Sequence, residues 1–145
     1  MRKHGHACDG DRRYLRILGR PLRVAKQGGE AEQIYAGTWD IRDILVDSER
    51  VYFNDFASGR VLSAPKAGGA AMTLATQGKV GNQMALDNDY VYYLGSGDVY
   101  RVAKSGGAAE WLGSGAGLYA LAVDDDYVFW VGATGPVTRV RKPWW

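Results

Sequence analysis

"VYRVAKSGGAAEWL", residues 99–112, restates a pattern that occurs twice upstream, as "LRVAKQGGEAEQIY" at 22–35 and "VLSAPKAGGAAMTL" at 61–74. Aligned on their Lys-x-Gly-Gly element, the lysines Lys26, Lys66 and Lys104 stand 40 and then 38 residues apart. A second landmark keeps the same rhythm: Val46-Asp47, Leu86-Asp87 and Val123-Asp124. A third follows it: Val51-Tyr52-Phe53, Val91-Tyr92-Tyr93 and Val128-Phe129-Trp130. Three landmarks in one order and at one period define a structural repeat of about 40 residues.

The segments inside each repeat are short, β-branched and aromatic, and Gly or Asp clusters separate them. That is the pattern of strands joined by turns. No segment carries a sustained apolar stripe at helical spacing, which argues against helical repeats of similar period. The best-preserved copy reads as four strands: Gln83–Leu86, Tyr90–Leu94, Asp98–Ala103 and Ala109–Leu112. The Gly-Gly pairs supply the positive φ of a tight hairpin. The Asp-rich turns can close through side-chain-to-backbone hydrogen bonds. The second strand is apolar at consecutive positions, as in Val91-Tyr92-Tyr93, which requires cover on both faces. Four-stranded sheets packed face to face around an axis satisfy all of this, and that is the β-propeller arrangement. The expected fold class is therefore all-β: about three to four four-stranded antiparallel blades in an incomplete ring.

"VYFNDFASGRVLSAPKAGG", residues 51–69, resembles the YWTD-type propeller repeats of lipoprotein receptors. It is still more similar to bacterial relatives that read V-Y-W-T-D, then G-x-V, then P-K-x-G-G. Val51-Tyr52-Phe53-Asn54-Asp55 stands at the V-Y-W-T-D string. The resemblance covers roughly residues 14–141. It implies the propeller fold, suits an extracytoplasmic setting, and leaves function open. The string's aspartate survives only as Asp55; Leu94-Gly95 and Val131-Gly132 occupy the corresponding places later.

Residues 41–75 and 82–112 make complete units. Residues 14–37 give partial strands without an innermost partner, and 118–141 give three strands. Residues 1–13 are expected to be a disordered tail. Closed propellers use about 4–8 blades, and an open arc leaves blade faces bare. The chain is thus expected either to be part of a longer propeller or to self-associate to complete a ring of six or so blades.

The composition, with 46% hydrophobic and 23% charged residues, is that of a globular chain. A net charge of +2 makes no case for nucleic acid or an acidic membrane. No apolar run reaches the roughly 18 residues of a membrane span, and the basic start lacks the apolar core of a secretory signal. Cys8 is the single cysteine, so an intrachain disulfide framework is excluded.

Motifs with chemical potential are few. His4, His6 and Cys8 alternate in a way that suits metal ligands, but a structural zinc site needs four, and only Asp9 or Asp11 is a local fourth. A fortuitous tail explains them better. Asp124-Asp125-Asp126 lacks the spacing of a calcium loop and falls at a repeated hairpin turn. Gly113-Ser114-Gly115-Ala116-Gly117 lacks the G-K-[ST] of a phosphate loop and reads as a crossover. The five arginines Arg12, Arg13, Arg16, Arg20 and Arg23 read as a solvated strand edge, and the terminal Trp144-Trp145 pair suggests an interface. No cofactor is called for.

Two function classes follow. The first is a noncatalytic scaffold binding a protein, peptide or glycan on one face of the blades. Its expected contacts are Trp39, Asp40, Phe56, Lys79, Asn82 and Tyr119, on the loops between units and between second and third strands. The second is part of a metal-dependent propeller enzyme of the lyase or lactonase type. That would need ligands converging on the axis, where Asp40, Arg42, Asp43, Asn82 and Gln83 show no repeated ligand position. The first class is preferred.

Overall fold

The computed structural model describes residues 6–9, 12–17, 19–37, 40–76 and 80–142, with side chains from residue 12 onward. Among the described residues, fifteen strands form four antiparallel sheets and no helix occurs. The first sheet contains β1 (His6–Asp9), β2 (Arg12–Ile17), β3 (Arg20–Ala25) and β4 (Glu32–Gln33). The second contains β5 (Ile41–Val46), β6 (Arg50–Asp55), β7 (Arg60–Pro65) and β8 (Met72–Thr76). The third contains β9 (Met84–Leu86), β10 (Tyr90–Leu94), β11 (Asp98–Ala103) and β12 (Glu110–Ser114). The fourth contains β13 (Leu118–Val123), β14 (Tyr127–Gly132) and β15 (Thr138–Arg141). Within each sheet the strands pair in chain order.

The sheets are blades. Their first strands lie side by side in the order β1, β5, β9, β13, and adjacent sheets pack face to face. No comparable packing joins the fourth sheet back to the first among the described residues, so the blades form an open arc.

Within the span expected to be a tail, residues 6–9 form a strand of the first blade. β1 pairs with β2, with Cys8 opposite Arg13 and Asp9 opposite Arg12, and supplies the innermost strand expected to be missing. The segment His-Ala-Cys-Asp has no apolar alternation to announce it. Its pairing with β2 completes the blade, which then repeats the pattern of the second. The side chains of His6 and Cys8 lie outside the described part, as do His4 and Trp144-Trp145.

Register confirms the repeat. Tyr52 lies opposite Ser63, Tyr92 opposite Arg101 and Phe129 opposite Arg139, so the three aromatics are equivalent. Continuous burial of β10 has the cause expected from its apolar run. Tyr93 joins the core shared with the second blade, and Tyr92 the core shared with the fourth. The Lys-x-Gly-Gly turns are closed by Gly28, Gly68 and Gly106 N–H groups donating three residues back, at 3.0, 3.1 and 2.8 Å. Both glycines of each pair have positive φ, as at Gly106 (87°) and Gly107 (126°). Residues 113–117 form the end of β12 and the crossover to β13, and Gly113 packs under Trp130 so closely that a Cβ there would meet the indole at 2.5 Å. Arg23, read as a solvated edge, is instead mostly covered. It makes a bidentate pair with Glu32 and donates to the Lys66 carbonyl of the next blade at 2.6 Å.

Candidate binding face and the joints between blades

In the second, third and fourth blades the hairpin between first and second strands turns on an aspartate. Asp47 Oδ1 accepts from the N–H groups of Glu49 and Arg50, Asp87 Oδ1 from Asp89 and Tyr90, and Asp124 Oδ1 from Asp126 and Tyr127, all at 2.7–2.9 Å. The turn therefore needs an acceptor two or three residues before its donors, and Asp supplies one. The other oxygen of Asp47 and of Asp87 faces the next blade. Lys104 Nζ meets Asp47 Oδ2 at 2.8 Å, and Lys142 Nζ meets Asp87 Oδ2 at 2.8 Å. The Tyr52 and Tyr92 hydroxyls donate to the same oxygens at 2.8 and 2.7 Å. Each ammonium also lies over the aromatic ring, 5.2 Å from Tyr52 and 5.6 Å from Tyr92. Lys104 is thus a joint between blades.

Burial by itself would raise the Asp47 carboxyl, but Lys104, the two turn N–H groups and the Tyr52 hydroxyl hold it well below the usual range. Asp87 is lowered in the same way, burial opposing Lys142, Tyr92 and the turn. Burial, then the aspartate beside each, pushes both tyrosine hydroxyls above their ordinary range.

A second joint lies on the innermost strands. Asp43 Oδ2 accepts from Met84 N–H at 2.8 Å, and Gln83 Oε1 accepts from Leu121 N–H at 3.0 Å. Asp43 precedes Ile44 as Gln83 precedes Met84, and register makes Ile44 and Met84 equivalent. The inner strands of the second and third blades thus share a polar position, and it bonds one blade to the next. Burial raises the Asp43 carboxyl against the Met84 and Ile44 N–H groups that lower it. Asn54 was not singled out from the sequence beyond its place in the V-Y-W-T-D string. Its Oδ1 accepts from the Arg42 and Asp43 N–H groups at 3.1 and 2.7 Å, where β5 bulges, and its amide donates to Gly81 O at 2.6 Å.

Of the residues expected to make a binding face, Asp40, Phe56, Asn82 and Tyr119 lie at the other end of the blades from the Asp turns. Asp40 O accepts from Phe56 N–H at 3.0 Å, which brings the crossover before β5 against the loop after β6. The Asp40 carboxylate grips the Arg42 guanidinium at 2.5 and 3.0 Å, and the guanidinium lies 4.3 Å over the Phe56 ring. The carboxylate raises Arg42 further above its ordinary value, against burial. Asn82 follows Gly81, which Asn54 ties to this cluster, and is exposed; Tyr119, at the start of β13, is also exposed. Asp40, Arg42 and Phe56 are thus assembled, with Asn82 beside them, while Tyr119 stands one blade further round. Trp39 and Lys79 lie outside the described residues.

A cleft of about 470 Å³ opens at the Asp-turn end between the third and fourth blades, lined by Asp87, Tyr92, Arg101, Asp124 and Lys142 among others. Its cations are already engaged, Lys142 by Asp87 and Arg101 by Glu110 at 2.6 Å.

No protein-family model matches the chain, and no curated protein matches it. Solved structures do. A chain of the nidogen/laminin complex superposes with a TM-score of 0.75 at 15% identity, over 91% of this chain and 56% of that one. Streptogramin B lyase matches with a TM-score of 0.68 at 10% identity, over 97% of this chain and 54% of that one. The computationally designed Ika4 protein matches with a TM-score of 0.81 at 13% identity, over 95% of this chain and 89% of that one. The chain spans about half the length of the first two. At these identities the likeness is one of fold, and that fold is the β-propeller, of which this chain forms an open arc of four blades.

Proposed function

We propose that the chain is a noncatalytic β-propeller scaffold that binds a protein, peptide or glycan on the end of its blades carrying Asp40, Arg42, Phe56, Asn82 and Tyr119. The observation that carries this reading is the Asp40–Arg42–Phe56 cluster. A guanidinium held by two hydrogen bonds and stacked on an aromatic ring is a preorganised contact, part polar and part apolar, and its side chain is still a third exposed. Few rotamers remain to be frozen when a ligand docks on it, which favours affinity. Exposed Tyr119 and Asn82 extend the same end with an aromatic plane and an amide. Asp43 and Gln83 on the way into the sheets, and Asn54 on the second strand, have structural duties instead, since each bonds backbone groups of the same or the next blade.

The alternative, part of a metal-dependent propeller enzyme, draws support from the streptogramin B lyase that shares the fold. Fold does not determine function, and metal analysis of the purified chain separates the two readings. Stoichiometric tightly bound metal favours the enzyme. The direct test of the scaffold reading is to probe peptide and glycan arrays with the purified chain and with Phe56→Ala and Tyr119→Ala. Loss of the bound set in both variants, with unchanged circular dichroism, supports it. A bound set indifferent to both, or footprinted wholly on the Lys-x-Gly-Gly end, refutes it.

A further inference from the structure

We propose that the two bare blade faces at the ends of the arc are halves of one interface, and that a second copy of this chain fills it, so that two copies close a ring of eight blades. This rests on comparing each repeat with its neighbours, independently of the binding-face reading. On the side of a blade that meets the next one, Val61 and Val99 are 0% exposed, while their counterpart on the fourth blade, Val137, is 66% exposed. Beside it, Tyr52 and Tyr92 are buried and Phe129 is only half-buried; Ser63 and Arg101 are buried and Arg139 is exposed. The opposite side of the first blade shows the complementary deficit. Leu15 and Leu22 are half-buried where Phe53 and Leu62 are buried, and Ile17 on the same face is 48% exposed. Both ends therefore present apolar surface that interior blades cover.

The charges continue the same series. The joints between the second and third and between the third and fourth blades set the Lys-x-Gly-Gly lysine of one blade, or its counterpart Lys142, on the turn aspartate of the blade before. Asp124 is the last aspartate of the series, and no lysine bonds it among the described residues. Lys26 is the first lysine, exposed and without an ion pair among the described residues. The anion at one end and the cation at the other belong to the joint that recurs between blades, so a copy of this chain supplies the missing half of each. Lys26 of one copy then sits on Asp124 of the other, over Phe129, and the second interface is the same contact reversed.

The number of copies follows from the blades. Rings of this type use about 4–8 blades, four already leave this chain open, and three copies would need about twelve. A head-to-tail contact that closes at two copies leaves no bare end.

The test uses the full chain. Multi-angle light scattering across roughly micromolar to 0.1 millimolar concentration is expected to give twice 15.8 kDa. Carbodiimide coupling of a mixture of ¹⁴N- and ¹⁵N-labelled chains is expected to join Lys26 to Asp124 between copies, read by mass spectrometry of the mixed-isotope peptide. Lys26→Glu, which sets like charges together, is expected to weaken the dimer at least tenfold. Val137→Lys, at a position exposed in the lone chain, is expected to give monomers with unchanged circular dichroism. A monomer, a filament, or a dimer cross-linked elsewhere and indifferent to both substitutions overturns the proposal; a chain whose ends are taken by some other protein appears here as the monomer.

Discussion

Lys104→Met should show how strongly the lysine joint holds neighbouring blades together. The Lys104 and Asp47 side chains are 16% and 26% exposed, so the pair lies between the surface and buried regimes. Exposed pairs contribute about 0.2–1 kcal/mol, and breaking a buried one costs about 3–5 kcal/mol. Asp47 retains two turn N–H groups and the Tyr52 hydroxyl when the lysine is removed, so its carboxylate is not orphaned. The expected loss is therefore about 1.5 kcal/mol, including a cation–π share of about 0.5 kcal/mol. At this chain length that lowers Tm by about 5 °C. A double-mutant cycle with Asp47→Asn, read by urea denaturation, should give a coupling of about 1–2 kcal/mol. Asparagine keeps the turn acceptor, so the cycle isolates the charge. The Asp47 carboxyl is held low in the folded chain, so its contribution is full above the unfolded value near 3.9 and fades as pH falls toward the folded value. The wild-type advantage over Asp47→Asn should thus be level from pH 8 to 5 and shrink below about pH 4. A coupling below about 0.3 kcal/mol, or an advantage that grows on acidification, would refute the reasoning.

Removing the inner-strand acceptors should also weaken the arc: Asp43→Ala and Gln83→Ala each orphan one backbone N–H on the next blade, at an expected cost of about 1–3 kcal/mol in urea melts. Gly113→Ala should cost about 2–3 kcal/mol and shift the tryptophan fluorescence, because the added Cβ meets Trp130 at 2.5 Å. Tyr92→Phe should cost about 1 kcal/mol, since Asp87 keeps Lys142 while losing one hydroxyl donor.

Much of this architecture is written locally. A turn aspartate, a Gly-Gly pair at positive φ and a doubly apolar second strand each state their geometry within a few residues, and three copies in phase state the blade. β10 and β11 begin and end where the sequence places them, at Tyr90–Leu94 and Asp98–Ala103. β1 was not legible, because His-Ala-Cys-Asp carries neither alternation nor turn chemistry beyond Asp9, and only pairing with β2 makes it a strand.

The candidate binding face was legible in part: an aromatic and a carboxylate near loop ends suggested contacts, yet nothing in the spacing of Asp40, Arg42 and Phe56 says that the guanidinium is gripped by one and stacked on the other. The roles of Lys104, Lys142, Asp43 and Gln83 belong wholly to the tertiary structure. Each bonds a group on another blade, some 40 or more residues away in sequence, or 38 in the case of Gln83. By itself the sequence determined which residues recur, because turns and strands are local. Packing decided what the recurring residues touch, because the face of one blade takes its meaning only from the blade set against it.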